Sequence, residues 1–340
     1  MKRNLPPTRD FKISFSFRLP SSGRFSATLT ALVLATALYF FYAAVIANDL
    51  ETKILVDIPR DSTAARASRI LADRGAVKSP GIFRYWLKLA RAESRIKAGV
   101  YEIAPRESVF GVASKIVRGD SHRIRLTVPE GYEAARIAAL AESSGLGASA
   151  EFLAYVAKNG LEGYLFPETY FFDYGSTAEA VARRMKEEFD RRITPDMLER
   201  AKETGLDLRR LVILASIIEK EATKNDRRLV SAVFHNRLKR RMYLESCATV
   251  LYALGKHKDR LIYADLRVKS PYNTYLNYGL PPGPISNPGM ESIMAALYPD
   301  DSAALFFVVD ETSGTHIFSR YYKDHLGVQK KPAAQKTTSR

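Results

Sequence analysis

Residues 25–46 (FSATLTALVLATALYFFYAAVI) carry no charged side chain across 22 positions, and no other segment restricts the chain as much. A helix of that length crosses a hydrocarbon core of about 30 Å. Six basic residues precede it (Lys2, Arg3, Arg9, Lys12, Arg18 and Arg24), whereas Asp49 and Glu51 follow. Basic flanks stay on the cytoplasmic face. The expectation is a single transmembrane helix over 25–46 in the cytoplasmic (inner) membrane, with residues 1–24 as a cytoplasmic basic tail and residues 49–340 outside. Tyr39, Phe40, Phe41 and Tyr42 would then lie near the outer interface. A cleaved signal peptide fits less well. The apolar run exceeds the usual ~7–15 residues, and bulky aromatics stand where a small-residue cleavage site belongs.

The formal charge of +15 invites a nucleic-acid reading, but its placement argues against one. Residues 1–24 hold +5 of it and residues 328–340 hold +4, from Lys330, Lys331, Lys336 and Arg340. A nucleic-acid groove needs its basic residues gathered on a folded face. The lone Cys247 cannot form an intramolecular disulfide. His122, His235, His257, His316 and His325 have neither metal-ligand spacing nor cysteine neighbours. No metal and no cofactor are expected.

An apolar fraction of 46% over 340 residues allows two modest cores. The stretch 50–128 alternates short strands and helices. Strands are expected at 53–58, 100–103 and 122–128. A helix capped by Asp61 or Ser62 ends at Gly75, a second opens at Ser79-Pro80, and a third covers 107–118. Pro129-Glu130-Gly131 reads as a turn and a boundary. Helices follow at 132–143 and 149–158, then an aromatic stretch at 161–175 in which six of fifteen residues are Tyr or Phe. That stretch suits a core corner better than a sugar-stacking wall, although Glu168 within it is a candidate sugar contact. Period-3.6 patterns predict helices at 177–192, 195–204, 208–222, 226–241 and 247–254. Residues 270–289 contain five prolines, three glycines and three asparagines, the composition of a stiff, shaped loop. A β-hairpin over 304–319 and a disordered basic tail over 328–340 complete the chain.

One side chain stands out chemically. Residues 211–218 are apolar except for Ser216, so the helix is buried nearly all round, and Glu219 follows directly. Desolvation would favour its protonated form and fit it to donate a proton. Glu221 lies about 200° further round the helix, so the two carboxylates point apart. A Glu-Lys-Glu cluster here also suits the solvated end of a buried helix, and the helix pattern alone leaves both readings open.

Five segments taken together resemble the endolytic murein transglycosylase family, the YceG-like proteins. They are Leu161-Glu162-Gly163-Tyr164-Leu165-Phe166-Pro167-Glu168-Thr169-Tyr170, Ala215-Ser216-Ile217-Ile218-Glu219-Lys220-Glu221-Ala222, Val233-Phe234-His235-Asn236-Arg237-Leu238, Ser270-Pro271-Tyr272-Asn273-Thr274-Tyr275, and residues 279–289 (GLPPGPISNPG). The resemblance runs from about residue 27 to residue 326. It implies an α+β chain: a membrane anchor, a small LysM-like α+β module over 50–128, and a mainly helical catalytic domain over 129–327 ending in a β-hairpin. It maps the catalytic glutamate onto Glu219. The implied reaction cuts the β-1,4 bond between N-acetylmuramic acid and N-acetylglucosamine and leaves a 1,6-anhydro end. The implied partners are peptidoglycan strands and neighbouring cell-wall synthases, the penicillin-binding proteins. A non-catalytic peptidoglycan-binding or synthase-scaffold protein is the competing reading.

Asn273, Tyr272, Ser270 and Tyr275 offer groups suited to sugar hydroxyls and N-acetyl amides. The chain also departs from the family pattern Leu-Gln-Ser-Asp-Pro-Thr, with Glu245, Cys247 and Ala248 in place of the Gln, Asp and Pro. Glu245 is the candidate to supply the missing negative charge from two positions away.

Overall fold

The computed structural model describes residues 22–42, 47–255, 258, 261–310 and 314–329. The chain divides into two compact units, one ending at His122 and the other beginning at Arg123.

The first unit opens with helix α1 (Ser22–Phe41). Among the described residues no helix is long and apolar enough to cross a membrane. Residues 43–46 of the expected span lie outside the described residues. After α1, strand β1 (Ile54–Ile58) pairs antiparallel with β2 (Gly99–Ile103), with Val56 opposite Tyr101. Helices α2 (Ala64–Asp73) and α3 (Pro80–Leu89) connect the strands, and α4 (Val109–Arg118) follows. Val56 and Ile58, two apart on β1, face inward onto Leu71, Phe83, Leu87, Tyr101 and Ile116. The cap of α2 is Thr63, which accepts the Arg66 N–H, and not Asp61 or Ser62. Asp61 instead turns the chain with φ 60°.

The strand expected at 122–128 is β3 (Arg123–Thr127), but it does not close the first module. It pairs antiparallel with β4 (Thr169–Asp173), so the division falls at residue 122/123 and not at 128/129. The aromatic stretch is therefore partly a strand. Tyr170 and Phe172 point into the core, while Phe171 points out. Against this ribbon pack α5 (Ala134–Ser143), α6 (Ser149–Asn159) and α7 (Ala178–Arg192), around Leu126, Ile137, Phe152, Val181 and Met185.

Helices α8 (Pro195–Glu203), α9 (Leu208–Glu221), α10 (Arg227–Lys239), α11 (Cys247–Leu254) and α12 (Met290–Leu297) build a second core centred on α9. All eight residues Leu211–Ile218 are buried. The patterned helices begin and end within two residues of expectation. Helix α12 was not expected: it is short, starts at Gly289 with no side-chain cap, and packs on α9. The loop 270–289 holds no helix or strand. The hairpin β5 (Phe306–Val309) and β6 (His316–Ser319) is followed by α13 (Tyr322–Gln329), which runs past the expected start of the tail. The rest of that tail, 330–340, lies outside the described residues.

Candidate active site

Helix α9 starts at Asp207, whose carboxylate accepts the Arg210 N–H at 2.7 Å, and it carries Glu219 at the far end of its buried run. Ser216, the one polar residue of that run, fastens the helix to the proline-rich loop. Its hydroxyl donates to Ile213 O at 2.7 Å and accepts the Ile285 N–H at 3.1 Å. The Ser286 hydroxyl donates back to Ser216 O at 3.2 Å. The loop is thereby set directly over Glu219.

The Glu219 side chain is 7% exposed. Its Oε2 accepts the Gly289 N–H at 3.0 Å, and its Oε1 stands 3.8 Å from Arg227 Nη2. That same nitrogen is 3.8 Å from Glu130 Oε2, while Arg227 Nη1 donates to Glu291 at 2.8 Å. The sequence presents Glu219 as a lone acid. The structure surrounds it with a guanidinium, a backbone donor and a second carboxylate. Burial, followed by the nearby Glu219, pushes the Glu130 carboxyl above its ordinary range, and Arg227 pulls it back. The Glu130 carboxyl lies against Gly289, where a Cβ would come within 1.9 Å of its Oε1 and push the side chain aside.

A buried amide holds the surrounding loops. Asn287 accepts the Leu165 N–H at 2.8 Å and donates to Tyr132 O at 2.9 Å and Glu162 Oε1 at 3.0 Å. The Asn287 backbone carbonyl accepts the Gly131 N–H at 2.8 Å. Glu162 in turn accepts the Ala134 N–H at the first turn of α5. Burial is the main cause that pushes the Glu162 carboxyl up to about 7. Segments 129–132, 161–165 and 285–289 thus meet at Asn287, beside the carboxylate of Glu219.

The other expected site residues are not gathered at Glu219. Asn273 is fully buried and its amide is spent inside its own loop. Nδ2 donates to Leu266 O and Val268 O at 2.9 Å each, and Oδ1 accepts the Tyr275 N–H at 2.9 Å. With both N–H groups and the oxygen used, it shapes the loop and does not offer itself to a sugar. Ser270 likewise forms a turn, its hydroxyl accepting the Tyr272 N–H at 3.2 Å. Tyr272 lines a separate concavity of about 510 Å³ with Glu162, Tyr164, Lys186 and Arg209. Glu168 is paired with Arg192 at 2.9 Å, and Arg192 also bonds Glu188 on α7.

Glu245, Cys247 and Tyr275 share a third hollow, of about 380 Å³, with Glu221, Arg237 and His325. There Arg237 Nη1 bonds Glu245 at 2.9 Å, and the Tyr275 hydroxyl lies 3.2 Å from Cys247 Sγ. Glu221 accepts the Ser246 hydroxyl and the Ala248 N–H, anchoring the start of α11. The two carboxylates of α9 do point apart. Arg227 and Glu291 also line, with Met290, Met294 and Tyr298, an open cleft of about 860 Å³, which Glu219 meets only through Arg227. The expectation missed Glu130, Arg227 and Gly289, because nothing local marks a turn glutamate, a helix-start arginine and a loop glycine as neighbours.

A nearly buried carboxylate at the end of a buried helix, bonded by a backbone N–H and set beside a guanidinium that lines an open cleft, fits an enzyme of the general acid–base class. Its particular lineage follows from comparison with known proteins. The chain belongs to the YceG-like family, whose model matches residues 56–331. The "Endolytic murein transglycosylase" of Bacillus subtilis (strain 168) is 33% identical over 317 residues, covering 85% of this chain and 87% of the relative. The protein of the same name from Streptococcus pneumoniae serotype 2 (strain D39) is 31% identical over 86% of this chain, which spans 62% of that relative's length. A crystal structure of a YceG-like protein from Listeria monocytogenes superposes with a TM-score of 0.56 at 34% identity, covering 82% of this chain and 99% of the other.

Proposed function

We propose that this chain is an endolytic murein transglycosylase. It cuts the β-1,4 bond between N-acetylmuramic acid and N-acetylglucosamine within a glycan strand and leaves a 1,6-anhydro-muramyl end. The observation that carries this reading is Glu219, held at the end of α9 and backed by Gly289 and Arg227, in a chain of this family.

Glu219 donates its proton to the glycosidic oxygen as the bond to the muramyl C1 breaks. The resulting carboxylate takes the proton of the C6 hydroxyl, whose oxygen closes on C1. One proton leaves Glu219 and one returns, and no water enters. A single acid/base therefore suffices where a water-using glycosidase needs two carboxylates. Between the two transfers Glu219 is an anion facing positive charge on the sugar, and the Gly289 N–H and Arg227 stabilise that state. Oε2 is committed to Gly289, which leaves Oε1 for the proton.

Glu219→Gln tests the assignment, because glutamine keeps the size but cannot give and reclaim a proton. Anhydro-muramyl ends, counted by mass spectrometry of glycan strands, should fall by about 10²–10⁴-fold at an unchanged melting temperature. Undiminished product from a preparation free of deamidation would remove Glu219 from the mechanism.

The same reading includes a single-pass anchor over 25–46 with its N-terminus inside. It is supported by the exposed apolar side chains Leu29, Leu32, Val33, Leu34 and Leu38 on α1 and by the basic residues before it. It also includes a LysM-like first unit that holds glycan, supported by the strand–helix–helix–strand order of β1, α2, α3 and β2 around its own core. Cell-wall synthases are the neighbours it would work beside.

A further inference from the structure

Glu130 has no part in the reaction as written, yet it touches the same groups as Glu219. Its Oε2 and Glu219 Oε1 each lie 3.8 Å from one nitrogen, Arg227 Nη2. Its side chain is laid across Gly289, where a Cβ would come within 1.9 Å of Oε1 and 2.0 Å of the carboxyl carbon. Gly289 donates its N–H to Glu219. The two carboxylates are thus linked twice, through a shared guanidinium nitrogen and through a shared glycine. At 3.8 Å, Nη2 stands between both acids and is closed on neither, while Nη1 is taken by Glu291 at 2.8 Å.

We infer that Glu130 is a positioning residue of the active site, one that competes with Glu219 for Arg227 and keeps the guanidinium from closing on the acid. The inference rests on Glu219 being the acid/base. A general acid must hold its proton until the bond breaks, and a guanidinium in direct contact favours the ionised form instead. A negative charge at position 130 opposes this in two ways: it draws Arg227 aside, and it repels a second negative charge on Glu219. The charged groups facing Glu130 are Glu219 at the end of α9, Arg227 at the start of α10 and Glu291 at the start of α12. Lys220 is turned to Gly131 O at 3.3 Å. Without Glu130, Arg227 has one anion fewer to serve and moves onto Glu219.

The test compares kcat and KM of the full chain from pH 5 to 9 on purified glycan strands. Glu130→Gln should lower kcat at neutral pH by about tenfold with KM unchanged, and the alkaline limb of its pH profile should move to lower pH. Glu130→Asp should recover part of the rate. Gly289→Ala, which keeps the N–H but places a methyl group where the Glu130 carboxylate lies, should copy Glu130→Gln. An unchanged pH profile in Glu130→Gln overturns the inference. So does a rise in KM alone, which would mean direct substrate contact, or an equal loss at every pH with a lowered melting temperature, which would mean a fold role. Reducing ends in place of anhydro ends from the wild-type enzyme would sink the transglycosylase reading, while the same pH comparison would still judge Glu130.

Discussion

Glu162→Gln provides a pH-resolved test of how the loops around Glu219 are held. Burial pushes the Glu162 carboxyl from 4.5 up to about 7, against the pull of the Ala134 N–H and the Asn287 amide, and Glu133 adds repulsion. A carboxyl raised in the folded state binds its proton more tightly there than in the unfolded chain. Between pH 4.5 and 7 the native state therefore carries the extra proton, and stability falls as pH rises through that window. A shift of this size corresponds to about 3 kcal/mol lost between the low-pH and high-pH limits. For a unit of this size that is a drop of about 6–12 °C in melting temperature. Glutamine removes the titration with little change of geometry. Both Asn287 Nδ2 and the Ala134 N–H reach Oε1, so the glutamine carbonyl can accept from both. Differential scanning calorimetry of both proteins from pH 4.5 to 8.5 reads the effect as a difference, and carboxylates common to the two cancel. The variant should gain on the wild type as pH rises and exceed it at pH 8. A constant gap between the two melting curves across the range would refute the reasoning.

Three further outcomes follow from the same structure. Gly163→Ala should destabilise the second unit by about 3 kcal/mol in a thermal melt, because φ is +86° and the new methyl would fall 2.4 Å from Pro284 Cγ and 2.9 Å from Val212 Cγ1. Cys247→Asp should fold normally and cleave at least as fast as wild type, since the position is exposed, opens α11 and has the Tyr275 hydroxyl beside it to donate; a lost melting transition or a slower rate would count against it. Protease added outside intact spheroplasts should digest the bulk of the chain, and full protection would reverse the proposed orientation.

Much of the helical framework was legible in the sequence because periodicity is a local property. The buried run Leu211–Ile218 identified α9, and period-3.6 patterning alone placed α7, α8 and α9, whose N-caps in the structure are Thr177, Thr194 and Asp207. Pairing is non-local, and there the sequence misled. Nothing within 122–128 tells that strand to leave the module before it and join 169–173, nearly fifty residues later. The site divides in the same way. Glu219 was singled out by the family resemblance, its own helix leaving two readings open, whereas Glu130 had the appearance of an ordinary turn residue, and only the folded chain sets it on Gly289. Asn273 failed in the opposite sense. Its amide chemistry suited a sugar, but the carbonyls of Leu266 and Val268 and the N–H of Tyr275 had already claimed it. Residue type announces what a side chain can bond, and the fold decides which partner arrives first.

The Asn287 junction bears on when such an enzyme becomes dangerous. Its side-chain bonds reach across 122, 155 and 125 residues of sequence, and the neighbouring Gly289 N–H reaches Glu219 across 70. Contacts this distant in sequence bear the full entropy of loop closure and form late in folding. Until residues 285–289 dock, Glu219 lacks its backbone donor and the three loops around it have no common fastening. An incompletely folded copy is therefore an unarmed one. A transglycosylase that uses Glu219 as proposed would have its acid/base group fully set only once residues 285–289 are in place.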